Sequence, residues 1–159
     1  MKQFILKLEL KETNISRKIC INENVSFFEL HDIIQIVFGW GNNHLHHFKI
    51  GQWVIGDYED ENELPVNYTY EGEVNLSSIL DNESEMVYEY DFGDGWIVDI
   101  KVVEREIIKG EQDPEILECN GPMVSENCGG PSGLSELPTV EASLESLNFL
   151  LATYYRNKK

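Results

Sequence analysis

The sequence predicts an α+β fold: a single compact domain over residues 1–159, a largely antiparallel sheet with an N-terminal amphipathic helix and a C-terminal helix. Three patterns carry this. Residues 3–11 and 86–104 alternate apolar and polar side chains with period two, as half-buried strands do. Residues 26–39 hold a capped helix with an apolar stripe. From Val140 onward the apolar positions repeat at helical spacing. A chain of 159 residues suits one domain; at that size folding buries roughly 68–70% of the chain's surface, so no disulfide or metal staple is needed. A hydrophobic content of 42% with 11% aromatics excludes wholesale disorder.

In chain order, Phe4, Leu6, Leu8 and Leu10 face one side of the first strand and Lys7, Glu9 and Lys11 the other. A turn at Asn14 leads to a second strand from Arg17 to Asn22, with Ile19 and Ile21 inward. Ser26 and Glu29 form a capping box, the Ser hydroxyl taking the Glu29 amide and the carboxylate reaching back. Phe27, Leu30, Ile34, Val37 and Phe38 then line one face of a helix over 27–38, closed by Gly39 in the left-handed conformation. A strand over 44–50 puts His44, His46, Phe48 and Ile50 on one face. A short strand from Trp53 to Ile55 follows. Five acids in the seven residues 57–63 predict a solvated loop, and Asn75 to Leu80 a helical turn.

The strongest hairpin joins 86–92 to 96–104 through Gly93-Asp94-Gly95. Met86, Tyr88, Tyr90 and Phe92 share one face, and Trp96, Val98, Ile100 and Val102 share a face of the partner strand. Residues 109–138 carry four of the five prolines and no period, which predicts a long functional or mobile connection. In the closing helix Val140, Leu144, Leu147, Leu151 and Tyr154 repeat, and Arg156, Lys158 and Lys159 complement its dipole.

With 12 Lys and Arg against 29 Asp and Glu, the net charge is −17. This argues against direct nucleic-acid binding, which draws its affinity from cations on phosphates. Anionic membrane surfaces are disfavoured on the same ground. No signal-peptide core and no span of ~18 apolar residues is present. Cys20, Cys119 and Cys128 form no C-x-x-C, so reduced thiols in a cytoplasmic protein are expected.

Four strings set the candidate sites in a family context. They are Phe38-Gly39-Trp40, His44-Leu45-His46-His47-Phe48, Tyr88-Glu89-Tyr90-Asp91-Phe92-Gly93-Asp94-Gly95-Trp96, and Glu126-Asn127-Cys128-Gly129-Gly130-Pro131-Ser132-Gly133. Together they resemble the Ri-plasmid ORF-three-like family, also labelled insertion-element passenger or TnpR-type proteins. The resemblance implies a compact α+β domain of bacterial or archaeal, mobile-element-associated origin, and it implies no reaction. The family usually has a His where this chain has Val98, and Pro-Pro-Glu-Asp where it has Val124-Ser125-Glu126-Asn127. One imidazole and one carboxylate of a family site are therefore missing here.

The residues support three functions from different classes. The first expectation is a non-catalytic binding or interaction module for a protein or small-molecule partner. Its pocket is built from Trp40, His44, His46, Tyr90, Asp91, Asp94, Trp96, Glu126, Cys128, Gly129 and Gly130, because Trp and Tyr combine an apolar body with a polar tip. The alternative is a metal-dependent, hydrolytic enzyme. There a divalent transition metal sits on His44, His46 and Asp91, and Glu126 is the base for a metal-bound water. Otherwise no cofactor and no catalytic residue is expected. Cys128 as a nucleophile beside the glycine loop is weighed against a small residue in a tight turn, and the turn is preferred. The third function is an acidic binder of a basic partner, or a nucleic-acid mimic.

Overall fold

The structure is a computed structural model and describes residues 1–57 and 66–159. The chain runs β1 (Lys2–Leu10), β2 (Ser16–Asn22), α1 (Phe27–Phe38), β3 (His46–Ile50) and β4 (Trp53–Gly56). It continues through β5 (Tyr68–Tyr70), a 3-10 turn (Glu71–Glu73), α2 (Leu76–Leu80), β6 (Glu85–Tyr90) and β7 (Trp96–Ile107). The last elements are β8 (Glu115–Asn120), α3 (Pro131–Leu134) and α4 (Leu144–Lys158). Among the described residues eight strands form one open sheet in the order β5-β4-β3-β6-β7-β1-β2-β8. All neighbours are antiparallel except β4 and β5, which are parallel. This is the α+β domain expected.

The period-two pattern sets which face is buried. Phe4, Leu6, Leu8 and Leu10 of β1, Tyr88 and Tyr90 of β6, and Trp96, Val98 and Ile100 of β7 form one continuous apolar face. The apolar stripe of α1 packs into the same core. The opposite face is polar: in register, Glu85, Lys101, Lys7, Lys18 and Glu118 form one row across five strands. Charges of both signs on such a face suit it to water.

Several elements differ from their expected form. Strand β3 begins at His46, which leaves His44 in the preceding loop. The Ser26 hydroxyl takes the Glu29 amide at 3.1 Å. The reciprocal arm of the capping box is replaced, because the Glu29 carboxylate accepts from Tyr155 Oη at 3.1 Å and pairs with Lys158 at 3.4 Å. Phe92 leaves the hairpin's inner face and is 45% exposed. Asp91 has φ +58° and turns the chain immediately after Tyr90, the last residue paired with Trp96. The segment 109–138 holds β8 and α3. Strand β8 has no alternating pattern, and its pairing with β2 carries a register irregularity. The five-acid segment lies outside the described residues except for Asp57. In α4 the buried residues are Leu147, Leu151 and Tyr155, while Val140 lies outside the helix and is exposed. Among the described residues no helix is long and apolar enough to cross a membrane.

One buried cation joins these layers. Arg17 points into the core and gives its guanidinium wholly to backbone carbonyls. It reaches Val37 at 2.8 Å, Ser16 at 2.8 Å, Asn120 at 2.7 Å and Pro122 at 2.9 Å. The side chain therefore ties β2 to the end of α1 and to the segment after β8. Replacing Arg17 with Met orphans several buried carbonyls. We expect urea denaturation to show a loss of about 3 kcal/mol or more. Arg17→Lys should recover less than half, since one ammonium cannot span this fork.

Candidate functional site

Three loops converge beyond the end of the β6–β7 hairpin: 39–45 between α1 and β3, 91–95 between β6 and β7, and 122–130 after β8. Each is placed by its backbone. Gly39, with φ +85°, ends α1 by donating to Gln35 and Ile36. Val124 N donates to the Phe38 carbonyl at 2.9 Å, bringing the third loop alongside the first. In the second loop the Asp91 side chain accepts from Gly93 N at 3.2 Å and Asp94 N at 3.3 Å. An Asp can close its own turn in this way.

The loops meet over an aromatic stack. The Trp40 ring lies 4.9 Å from Tyr90 and 5.8 Å from Trp96, and His44 meets Tyr90 edge-on at 5.6 Å. Tyr90 Oη donates to Glu126 Oε1 and accepts from Asn43 N at 3.0 Å. Glu126 Oε2 accepts from Gly41 N at 2.9 Å. Burial and the adjacent carboxylate raise the Tyr90 pKa, so the phenol stays protonated and serves as donor. His44 Nε2 lies 2.9 Å from Asn127 Oδ1 and 3.6 Å from Asp91 Oδ2. Asp94 Oδ2 accepts from Gly129 N at 3.2 Å.

The glycine loop is a matter of close approach. A Cβ on Gly130, which has φ +77°, would lie 2.4 Å from the Asp94 carbonyl oxygen. A Cβ on Gly133 would overlap the Cys128 carbonyl. The Cys128 thiol donates inward to Ser125 O at 3.3 Å and Gly130 O at 3.5 Å. Burial, with Asp94 nearby, raises its pKa. A thiol held protonated in this way is a poor nucleophile.

Of the residues singled out from sequence, ten stand in or beside these loops and one turns away. His46 faces the core, where its Nε2 donates to Glu71 Oε2 at 2.7 Å; the two side chains are 4% and 1% exposed. The set His44, His46, Asp91 and Glu126 is thus not one coordination sphere: His46 is engaged by Glu71, and Glu126 by Tyr90 and Gly41. Among the described residues no group of three His, Cys, Asp or Glu is arranged to hold a metal ion.

Behind the site lies a buried polar group that sequence reasoning did not single out. His31 stacks on His46 with ring centroids 3.4 Å apart and planes 5° from parallel. Its Nδ1 accepts from Tyr88 Oη at 2.7 Å, and its Nε2 donates to Asn42 Oδ1 at 2.7 Å. Gln35 Nε2 donates to the same Tyr88 Oη at 2.9 Å. His31 and Gln35 sit one turn apart on the apolar stripe of α1, and that intrusion is a signal the sequence does carry. Glu71 has none, because it follows a segment without period.

Burial, reinforced by His46, pushes His31 down to about 3. In the unfolded chain a histidine titrates near 6.5. The unfolded state therefore binds more protons between these values, and stability is full above pH 6.5 and falls as pH drops toward 3. The expected swing is of the order of a few kcal/mol. Urea midpoints from pH 7 to pH 3.5 should fall more steeply for the natural protein than for His31→Gln; equal slopes would remove His31 as the cause.

The fold and the three-loop site define a single-domain α+β protein with an aromatic, carboxylate-rimmed loop cluster at one end of an open sheet. The chain matches the family model of the plasmid pRiA4b ORF-3-like proteins over residues 1–145 and belongs to that family. It is 28% identical to the uncharacterized protein y4hQ of Sinorhizobium fredii, over 93% of this chain and 79% of that protein. It is also similar to the crystal structure of a protein of unknown function, MM3350, from Methanosarcina mazei Go1. That likeness has a TM-score of 0.75 and 32% identity, covering 85% of this chain and 78% of the other.

Proposed function

We propose that this protein is a non-catalytic binding module that takes its ligand at the three-loop cluster around Trp40, Tyr90 and Trp96, beside Asp91, Asp94 and the 126–130 segment. One observation carries this. The indole N–H groups of Trp40 and Trp96 are buried and have no hydrogen-bond partner among the described residues. An unanswered buried donor costs about 1–3 kcal/mol, so two in one cluster call for an explanation. Both atoms are closed from solvent in this conformation, so a ligand bearing a carbonyl or carboxylate acceptor answers them by parting the loops as it binds. Such a ligand is a small molecule or a segment of a partner protein, and the plasmid setting in the family's description fits a mobile-element-associated role.

The remaining groups favour recognition over turnover. Glu126 is occupied by Tyr90, Gly41 and Asn43, the Cys128 thiol is held protonated, and the four residues of the metal reading do not converge. The protein should show a thermal-shift response to an acceptor-bearing ligand from a metabolite and peptide panel. At a hundredfold excess over Kd the stabilisation is about 2.7 kcal/mol. Trp40→Phe, which keeps the ring and removes the donor, should weaken binding by about tenfold, the equivalent of one hydrogen bond. Turnover of any substrate by the pure protein, abolished by Glu126→Gln, would overturn the proposal.

A further inference from the structure

The 39–45 loop is held from two sides by alternate residues. Asn42 is itself exposed, but its polar atoms reach inward: Oδ1 accepts from His31 Nε2 at 2.7 Å and N donates to Gln35 Oε1 at 2.8 Å. Its neighbours face the cluster, with Gly41 N on Glu126 Oε2 at 2.9 Å and Asn43 N on Tyr90 Oη at 3.0 Å. The two sides are also matched on β6. Tyr88 and Tyr90 are stacked neighbours, 6.5 Å apart with planes 8° from parallel. The first hydroxyl belongs to the buried group, and the second belongs to the site. Asn42 itself has φ +56°, a left-handed conformation that costs energy for any residue with a Cβ. Its two core hydrogen bonds offset that cost. If they are lost, the bonds of Gly41 and Asn43 at the site must hold the loop without support from the core side.

We propose that Asn42 is a positioning residue. Through it the buried His31, Gln35 and Tyr88 group sets the donors of the 39–45 strap at Glu126 and Tyr90, so that order in the core group and capture of ligand at the site are one coupled event. The ligand half of this statement rests on the binding reading above; the strap half does not. Coupling of this kind is reciprocal. A change at Glu126 must therefore reach the His31 ring, and a change at His31 must reach the Gly41 and Asn43 amides.

The test uses nitrogen-15 NMR on the full chain with three variants. Asn42→Gly adopts the positive φ freely and keeps the N–H to Gln35, but it removes the acceptor for His31. Asn42→Asp keeps that acceptor. Glu126→Gln perturbs the site from the other side and keeps the proposal testable should Asn42→Gly fail to fold. Asn42→Gly should shift the Gly41 and Asn43 amides and the Trp40 indole N–H. It should also speed exchange of those two amides by about tenfold, the equivalent of one hydrogen bond. Asn42→Asp should return them to their natural positions, because it restores the acceptor for His31. Glu126→Gln should move the His31 ring nitrogens. Unchanged site amides in Asn42→Gly, or an unchanged His31 ring in Glu126→Gln, would overturn the strap. Ligand binding of equal affinity by the natural protein and Asn42→Gly would overturn the coupling and leave the binding reading standing. NMR coupling without any ligand response would do the reverse.

Discussion

The arrangement depends on how the C-terminal end of α1 is closed. A helix leaves its last four carbonyls without intrahelical partners and a partial negative charge around them. Here none is left to chance. Gln35 and Ile36 receive the Gly39 amide, Gln35 also receives Trp40 N, Val37 receives Arg17, and Phe38 receives Val124 N. The last turn of α1 contains no basic residue of its own. Its cation comes from the sheet, on β2, and reaches the carbonyls of Asn120 and Pro122 as well. Closing the helix and placing the segment that leads to Glu126 are thus one act. A buried guanidinium is expensive to desolvate, and four carbonyls on a fixed fork are what makes it tolerable.

From that junction two polar groups run side by side. One is internal: His31, Gln35, Tyr88, His46 and Glu71. The other is peripheral: Tyr90, Glu126, Asn43, His44, Asn127 and Asp91. They share strand β6 and the 39–45 loop. A buried polar network is stable only when nearly all its members are satisfied. The internal group comes close, with His46 Nδ1 its one side-chain atom left without a partner. The peripheral loops therefore rest on a base that fixes their backbone.

Much of the fold was legible because it follows from period. The alternation in residues 3–11 and 86–100 and the stripe from Phe27 to Phe38 record which side faces the core, and burial follows them closely. Strands β5 and β8 were not legible. The first is three residues long, and the second gains its place from pairing with β2 and from Asn148, whose amide bonds both N and O of Ile116 at 2.8 and 2.9 Å. Such partners are remote in sequence. The loop residues of the candidate site stand out in the sequence because Trp, His, Asp and Gly are unusual in that density. His46 stands apart from the loop residues for a definite reason. Two residues of spacing put His44 and His46 on one face only if both lie in the strand, and β3 starts at the second. Arg17 opens a strand in the sequence pattern, and an arginine in register with Ile19 and Ile21 points inward with them.

Two kinds of cost can be located independently of any idea about function. One is backbone in the left-handed region at residues other than glycine; among the described residues these are Glu12, Asn42, Asp91 and Asn127. The other is buried side-chain polar atoms without a partner, namely Trp40 Nε1, His46 Nδ1 and Trp96 Nε1. Glu12 belongs to the turn after β1. The other three backbone positions lie in the three converging loops, and the three unpartnered atoms lie in or directly behind them. The rest of a large apolar core shows neither cost among the described residues. Folding alone gives no reason for both to gather at one end of the sheet. Strain and unmet hydrogen bonds persist when something other than stability retains them. Their coincidence, more than any single residue type, distinguishes this end of the molecule from the rest of the fold.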